Sequence, residues 1–344
     1  MREPFPVLTY LHIIQVAAGG IVPVLPVEFL GGSAPRLRTI NLKGIPYPTM
    51  PTLLLSASDL TELRLFSIPL TGYISPEAMV VGLAALPRLK IFDFHFQSAL
   101  PRPDRIPLPP ITQTVLPALT YFNFTGASEY LEDFVARIDT PQLDWVRVVL
   151  FNQLADIQAT QLSQFVARSI GSASKRAEVT FSSGNATFTL DPQSCDLPSV
   201  RPLASTVIRC EGIDWQVSHL AQTLSQFKSS ATLSNLVHLK LKLNLETDRQ
   251  LEGTDDIDWQ HFLRPFSNVK MLHVSKRLAV HIALSLEDIA VGMAAEVLPS
   301  VELIWLGGRR VRKFVTARRL SGHPVTVVGT KRELYEKFKS FVEK

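Results

Sequence analysis

Along most of the chain the apolar residues fall in one recurring pattern. A Pro or Ser is followed by any residue, a Leu or Val, two positions of any kind, and two apolar residues separated by one. The pattern first appears as Pro6-Val-Leu8 with Leu11 and Ile13. It returns at Leu37 (Ile40, Leu42), Leu60 (Leu63, Leu65), Leu89 (Phe92, Phe94), Leu119 (Phe122, Phe124) and Leu143 (Val146, Val148). After a long interruption it resumes at Leu236 (Leu239, Leu241), Val269 (Leu272, Val274) and Val301 (Ile304, Leu306). Residues two apart on a strand face the same way, so each copy predicts a short strand with its apolar pair turned into a core. Two degraded copies are expected in the gap, near Arg176 (Val179, Phe181) and near Leu203 (Thr206, Ile208). Eleven copies between residues 8 and 301 give a period of about 29 residues, that of a leucine-rich repeat.

Between the strands, helices are expected over residues 75–86, 128–138 and 285–298. Each opens on a Ser suited to capping, and the Pro after each suits a residue that cannot continue a helix. Ser285-Leu-Glu-Asp288 reads as a weak capping box. Asp255, Asp256 and Asp258 stand before Trp259, where carboxylates suit a helix start. The basic run Arg309, Arg310, Arg312, Lys313, Arg318 and Arg319 reads as the solvated face of a helix whose stripe is Val311, Phe314 or Val315, and Leu320. The predicted fold is therefore α/β. Residues 1–329 form a leucine-rich-repeat solenoid with a parallel sheet on the concave face and helices on the convex face. One repeat cannot bury its own apolar face, so the copies must stack. Residues 330–344 form an amphipathic capping helix that opens on Thr330-Lys-Arg-Glu333 and carries the stripe Leu334, Phe338, Phe341 and Val342. At the other end the first strand begins almost at Met1, so an open edge prone to self-association is expected.

Composition narrows the function classes. Hydrophobic residues make up 46% and charged residues 19%, which excludes a disordered chain. A net charge of +4 is too small to predict a nucleic-acid partner. The most apolar stretch, residues 7–30, is broken by His12, Gln15, two glycines and two prolines, so no membrane span is expected. Two cysteines, Cys195 and Cys210, make no metal or disulfide framework and suggest a reduced intracellular compartment, cytoplasmic or nuclear. No nucleotide, zinc-protease or nucleophile-elbow motif is present, and the eight histidines are scattered. No catalysis, cofactor or metal is expected. The Asp93 and His95 pair, two apart on a strand, reads as part of a solvated face.

The residue between the two inward apolar positions must face away from the core. Read copy by copy, that column is His12, Asn41, Arg64, Asp93, Asn123, Arg147, Lys240, His273 and Trp305. The column two residues earlier is Tyr10, Thr39, Glu62, Ile91, Tyr121, Trp145, His238, Met271 and Leu303. Trp, Tyr, Met and Arg are enriched at protein interfaces. The expected protein-binding residues are Tyr10, His12, Arg64, Asp93, Tyr121, Asn123, Trp145, Arg147, His238, Lys240, His273 and Trp305.

Three segments carry a family resemblance: residues 22–37 (Val22-Pro-Val-Leu-Pro-Val-Glu-Phe-Leu-Gly-Gly-Ser-Ala-Pro-Arg-Leu37), Gly72-Tyr-Ile-Ser-Pro-Glu-Ala78, and Ser128-Glu-Tyr-Leu-Glu-Asp-Phe-Val-Ala-Arg-Ile-Asp139. Together with the repeats, and as far as Ser321-Gly-His-Pro-Val325, the chain resembles the F-box and leucine-rich-repeat proteins of mushroom-forming fungi. In that family an N-terminal F-box docks on the Skp adaptor of a cullin ubiquitin ligase, and the repeats select the substrate. The resemblance implies a protein partner, a ubiquitination substrate, and no catalytic residue. Only five residues precede the first motif, so no F-box is expected, and Skp and cullin docking stands in doubt without one. The alternative use of the same fold is an intracellular sensor or signalling scaffold with no ubiquitin link.

Overall fold

The computed structural model describes residues 5–15, 24–26, 28–47, 49–98, 112–151, 157–170, 174–191, 202–227, 231–244, 257–289, 296–330, 332–333 and 336–337. The chain divides into two compact units, Met1–Ile170 and Gly171–Lys344. Both are α/β, with mostly parallel strands alternating with helices.

The first unit contains β1 (Tyr10–Ile14), β2 (Thr39–Lys43), α1 (Met50–Leu54), β3 (Glu62–Ile68), α2 (Pro76–Ala84), β4 (Ile91–Phe96), β5 (Thr114–Val115), β6 (Tyr121–Gly126), α3 (Ser128–Ala136), β7 (Ile138–Asp139), β8 (Trp145–Leu150) and α4 (Thr160–Ile170). Its main sheet runs β1-β2-β3-β4-β6-β8 with every pair parallel; β5 and β7 form a separate small parallel pair.

The second unit contains β9 (Arg176–Ser182), β10 (Asn185–Asp191), β11 (Ala204–Arg209), α5 (Ile213–Gln226), α6 (Ala231–Ser234), β12 (His238–Asn244), α7 (Trp259–Leu263), β13 (Met271–Val274), α8 (Ala279–Glu287), β14 (Leu303–Trp305), α9 (Arg312–Leu320) and β15 (Thr326–Val328). Its strands lie in the order β11-β10-β9-β12-β13-β14-β15.

The recurring sequence pattern has a local cause. In all nine clear copies the N–H of the first Leu or Val donates to the carbonyl three residues earlier, at 3.0–3.4 Å. The Pro or Ser sits just after that carbonyl, at the turn position where the fixed φ of Pro is already correct. After the turn, in seven of these copies and before β9, one carbonyl accepts two consecutive N–H groups from the start of the neighbouring strand. Thr9, Arg38, Thr61, Lys90 and Thr120 do so in the first unit, and Lys175, Val237 and Lys270 in the second. This places successive strands in parallel at a fixed register. The inward pairs then close the core: Phe92, Phe94, Phe122, Phe124, Leu239, Leu241 and Leu272 are all fully buried.

Residues 176–209 depart from the expectation of two degraded parallel copies. β9 is parallel to β12, but Ala177 and Val179 lie opposite Leu239 and Leu241, and Phe181 lies opposite Leu243. The expected inward pair is therefore shifted by two residues. β10 was not anticipated, and it is antiparallel to both β9 and β11. Ala177, Val179 and Phe181, then Ala186, Phe188 and Leu190, alternate strictly around Ser183-Gly184. That is a hairpin signal, and a search for a 29-residue period passes over it.

The helices also correct several expectations. Ser75 caps α2 as expected, its hydroxyl accepting from the Ala78 N–H at 3.2 Å. Ser128 lies inside α3; Ala127 holds the cap position with no side-chain bond, and the helix ends before Ile138. Ser285 lies in the last turn of α8, which follows the stripe Leu278, Ile282 and Leu286, so it caps nothing. Asp258 does cap α7, accepting from the His261 N–H at 2.8 Å; Asp255 and Asp256 lie outside the described residues. In α9 the buried face is Val311, Phe314 and Arg318, while Leu320 is 75% exposed. Positions 311, 314 and 318 fall on one helical face, and 320 does not. The Arg318 guanidinium is buried and donates to the carbonyls of Pro299 and Val301 at 2.9 and 3.1 Å, so this member of the basic run is structural. At the C-terminus, Thr330 Oγ1 accepts from the Glu333 N–H at 3.1 Å, and Glu333 accepts from the Gly329 N–H at 3.2 Å. Leu334, Phe338, Phe341 and Val342 lie outside the described residues.

Some helix N-termini are capped from the preceding helix. Glu132 of α3 accepts from the N–H groups of Gln161 and Leu162 at 2.7 and 2.8 Å, and Glu287 of α8 accepts from the Lys313 N–H at 3.1 Å. Replacing Glu132 with Ala leaves two N–H groups at the start of α4 without acceptors. It is expected to cost about 1 kcal/mol, the value of a side-chain cap, as a lower urea midpoint at an unchanged slope.

Candidate interaction surface

The outward columns line up strand by strand. Tyr10, Thr39, Glu62, Ile91, Tyr121 and Trp145 are consecutive register partners, as are His12, Asn41, Arg64, Asp93, Asn123 and Arg147. In the second unit His238, Met271 and Leu303 form one row, and Lys240, His273 and Trp305 the other. β9 extends these rows with Arg176 and Glu178, which the sequence reading had not included.

Exposure along the rows is uneven. Tyr10, His12 and Arg147 are exposed. Arg64, Tyr121, Trp145, His238, Lys240 and His273 are half-buried. Asp93, Asn123 and Trp305 are buried, so they do not present the open contact surface expected of them. In the second unit Met271, Leu303, Trp305 and Val328 form a buried apolar cluster, and the His273 ring meets Trp305 edge-on at 4.5 Å. Met271 and Leu303 were the sequence signal that this stretch of the rows is packing.

In the first unit the polar row is tied together. Asn123 Nδ2 donates to Asp93 Oδ1 at 2.9 Å, and the Arg64 guanidinium stands 3.2 Å from Asp93 Oδ2 and 3.4 Å from Glu62. Burial pushes the Asp93 carboxyl above its ordinary value. The Asn123 hydrogen bond and the Arg64 charge oppose the shift, and Glu62 adds to it. His95 Nε2 is 3.8 Å from Asp93 Oδ1, and its ring lies edge-on to Phe66 at 4.8 Å. Phe66 and His95 sit one step further along their strands than the two expected columns; continuing the period-two reading would have found them.

Beside this network the Tyr121 and Trp145 rings stack at 4.2 Å, 14° from parallel. The two residues are direct register partners, as are Asn123 and Arg147 two positions on. The stack and the exposed Arg147 therefore share one side of β6 and β8. A flat aromatic pair with a cation at its border can bury an apolar group and hold an acceptor at the rim.

In the second unit Glu178 pairs with Lys240 at 3.1 Å and Lys242 at 2.6 Å. Burial works against its charge, but the hydrogen bonds and charges of the two lysines outweigh this and hold the carboxyl below its ordinary value. His238 lies beside this group. Burial, together with His273, Arg176 and Lys240, pushes its imidazole down to about 3, against the opposing charge of Glu178.

Among the described residues no group of three or more His, Cys, Asp or Glu side chains is arranged to hold a metal ion, and no helix is long and apolar enough to cross a membrane. Compared with known families and curated proteins, the chain matches no family model and no curated protein.

Proposed function

We propose that the chain is a leucine-rich-repeat solenoid acting as a non-catalytic, intracellular protein-binding module, related to the substrate-recognition part of F-box ubiquitin-ligase adaptors. Support for the repeat comes from the nine equivalent turns and the carbonyls that each take two N–H groups, features that recur with the sequence pattern. The observation that carries the binding role is the Tyr121–Trp145 stack with Arg147 beside it, large half-exposed side chains on the strand face turned away from the core. Such anchors dominate the energy of protein interfaces.

The test is affinity capture with the full chain, run beside Trp145→Ala/Arg147→Ala. A partner retained by the unmodified chain and lost by the variant is expected; an identical set of captured proteins would refute the assignment. Skp and cullin in the captured set would tie the module to a ligase, and a partner without them would leave it a free-standing receptor.

A further inference from the structure

The edge strand β1 differs from every other strand of the first unit. Its core-side residues Leu11 and Ile13 are only half-buried. The matching pairs on the following strands, Ile40 and Leu42 through Val146 and Val148, are buried. On the other face Tyr10 is 55% and Ile14 44% exposed. Among the described residues β1 is hydrogen-bonded to β2 alone.

The backbone phase of this edge is fixed. Thr9 accepts through its carbonyl from the Arg38 and Thr39 N–H groups, and the Gln15 N–H donates to the Lys43 carbonyl at 3.0 Å. Peptide groups alternate in direction along a strand, so residues 9, 11, 13 and 15 bond to β2. The N–H and C=O groups of Tyr10, His12 and Ile14 point to the free edge. Natural edges are guarded by charges, prolines or bulges within the strand. Here no Lys, Arg, Asp or Glu occurs from Phe5 to Ile14, and β1 contains no proline.

We propose that β1 pairs antiparallel with β1 of a second copy of this chain, about a two-fold axis at His12. The three free residues are symmetric about position 12. His12 therefore meets His12 of the other copy, Tyr10 meets Ile14, and each hydrogen-bonded pair exchanges two bonds. The same register sets Leu11 against Ile13 on the core side and covers the two apolar positions that the chain alone leaves half-open. The interface is isologous and closes at two copies. The far strand of the second unit, β15, has three residues against five in β1, so it offers a shorter template for a head-to-tail chain. This proposal is independent of the binding role above, since it rests on the edge of β1 and not on Tyr121, Trp145 or Arg147.

The experiment is sedimentation equilibrium of the full chain up to about 50 µM, a range that populates weak interfaces. A monomer–dimer equilibrium is expected, and a monomer throughout overturns the proposal. His12→Lys sets two like charges opposite each other at an exposed position. It should raise the dimer dissociation constant at least tenfold, with an unchanged circular dichroism spectrum. Cysteines then report the register. Opposed Cα atoms of a hydrogen-bonded antiparallel pair lie about 5.5 Å apart, within the reach of a disulfide. His12→Cys should cross-link to itself. Tyr10→Cys should cross-link only when mixed with Ile14→Cys. A dimer that ignores His12→Lys and gives neither cross-link uses another surface, and the proposal fails.

Discussion

Replacing Phe122 with Ala is expected to lower the stability of the protein by about 4 kcal/mol, the range for deleting a fully buried aromatic ring. Phe122 packs against Phe92 of β4 at 5.8 Å, Phe134 of α3 at 5.8 Å and Phe165 of α4 at 6.0 Å. These neighbours come from several elements and are themselves fully buried, so the cavity cannot collapse without moving both sheet and helices. One residue away, Asn123 points to the opposite face and holds Asp93. Asn123→Ala should cost roughly 1–2 kcal/mol, because it strips a hydrogen bond from a buried carboxyl. This loss is larger than a solvent-facing Asn would give, but well below that of Phe122. Guanidinium titrations of the two variants measure the difference, and equal losses would mean that the strand faces are assigned the wrong way round.

The second large effect is on pH dependence. The His238 imidazole is pushed down to about 3 in the folded chain, against about 6.5 for an unperturbed His. As pH falls below about 6.5 the unfolded chain takes up a proton that the folded chain refuses. Stability from this group is thus fully present above that value and is lost progressively toward pH 3. With the side chain partly exposed, roughly 2 kcal/mol should be lost by pH 4, about half the full linkage value. His238→Gln removes the proton-binding group and should flatten the fall between pH 6.5 and 5. Glu178, held below its ordinary value by Lys240 and Lys242, loses its contribution only in the lower carboxylate range. A pH–stability profile of the variant that superimposes on the unmodified chain would show that His238 does not cause the slope.

Where one local rule recurs, the sequence predicted the structure well. The Pro or Ser turn, the buried Leu after it and the alternation of the next residues are all short-range, and they set the register of β1 to β4, β6, β8 and β12 to β14. The hairpin of β9 and β10 was missed because it obeys period two without the 29-residue spacing. The end of α8 was misplaced because Ser285 is equally suited to a cap and to a last turn; the stripe Leu278, Ile282 and Leu286 decides between them. For the candidate surface, the sequence indicated which residues share a row but not which of them are covered. Asp93 and Asn123 are covered by bonding to each other across copies 30 residues apart, and Trp305 by joining Met271, Leu303 and Val328. Burial of that kind depends on neighbours in space, which no single copy of the motif records.

The open side of β6 and β8 is the surface proposed to hold a protein partner. The most direct measurement is the dissociation constant of the captured partner for the unmodified chain, for Trp145→Ala/Arg147→Ala, and for Arg88→Ala as an exposed control whose side chain pairs with Asp59. The double variant should bind more weakly by about 2 kcal/mol or more, roughly thirtyfold in Kd, while the control leaves binding unchanged. Equal affinity for all three, with the fold intact, would contradict the account.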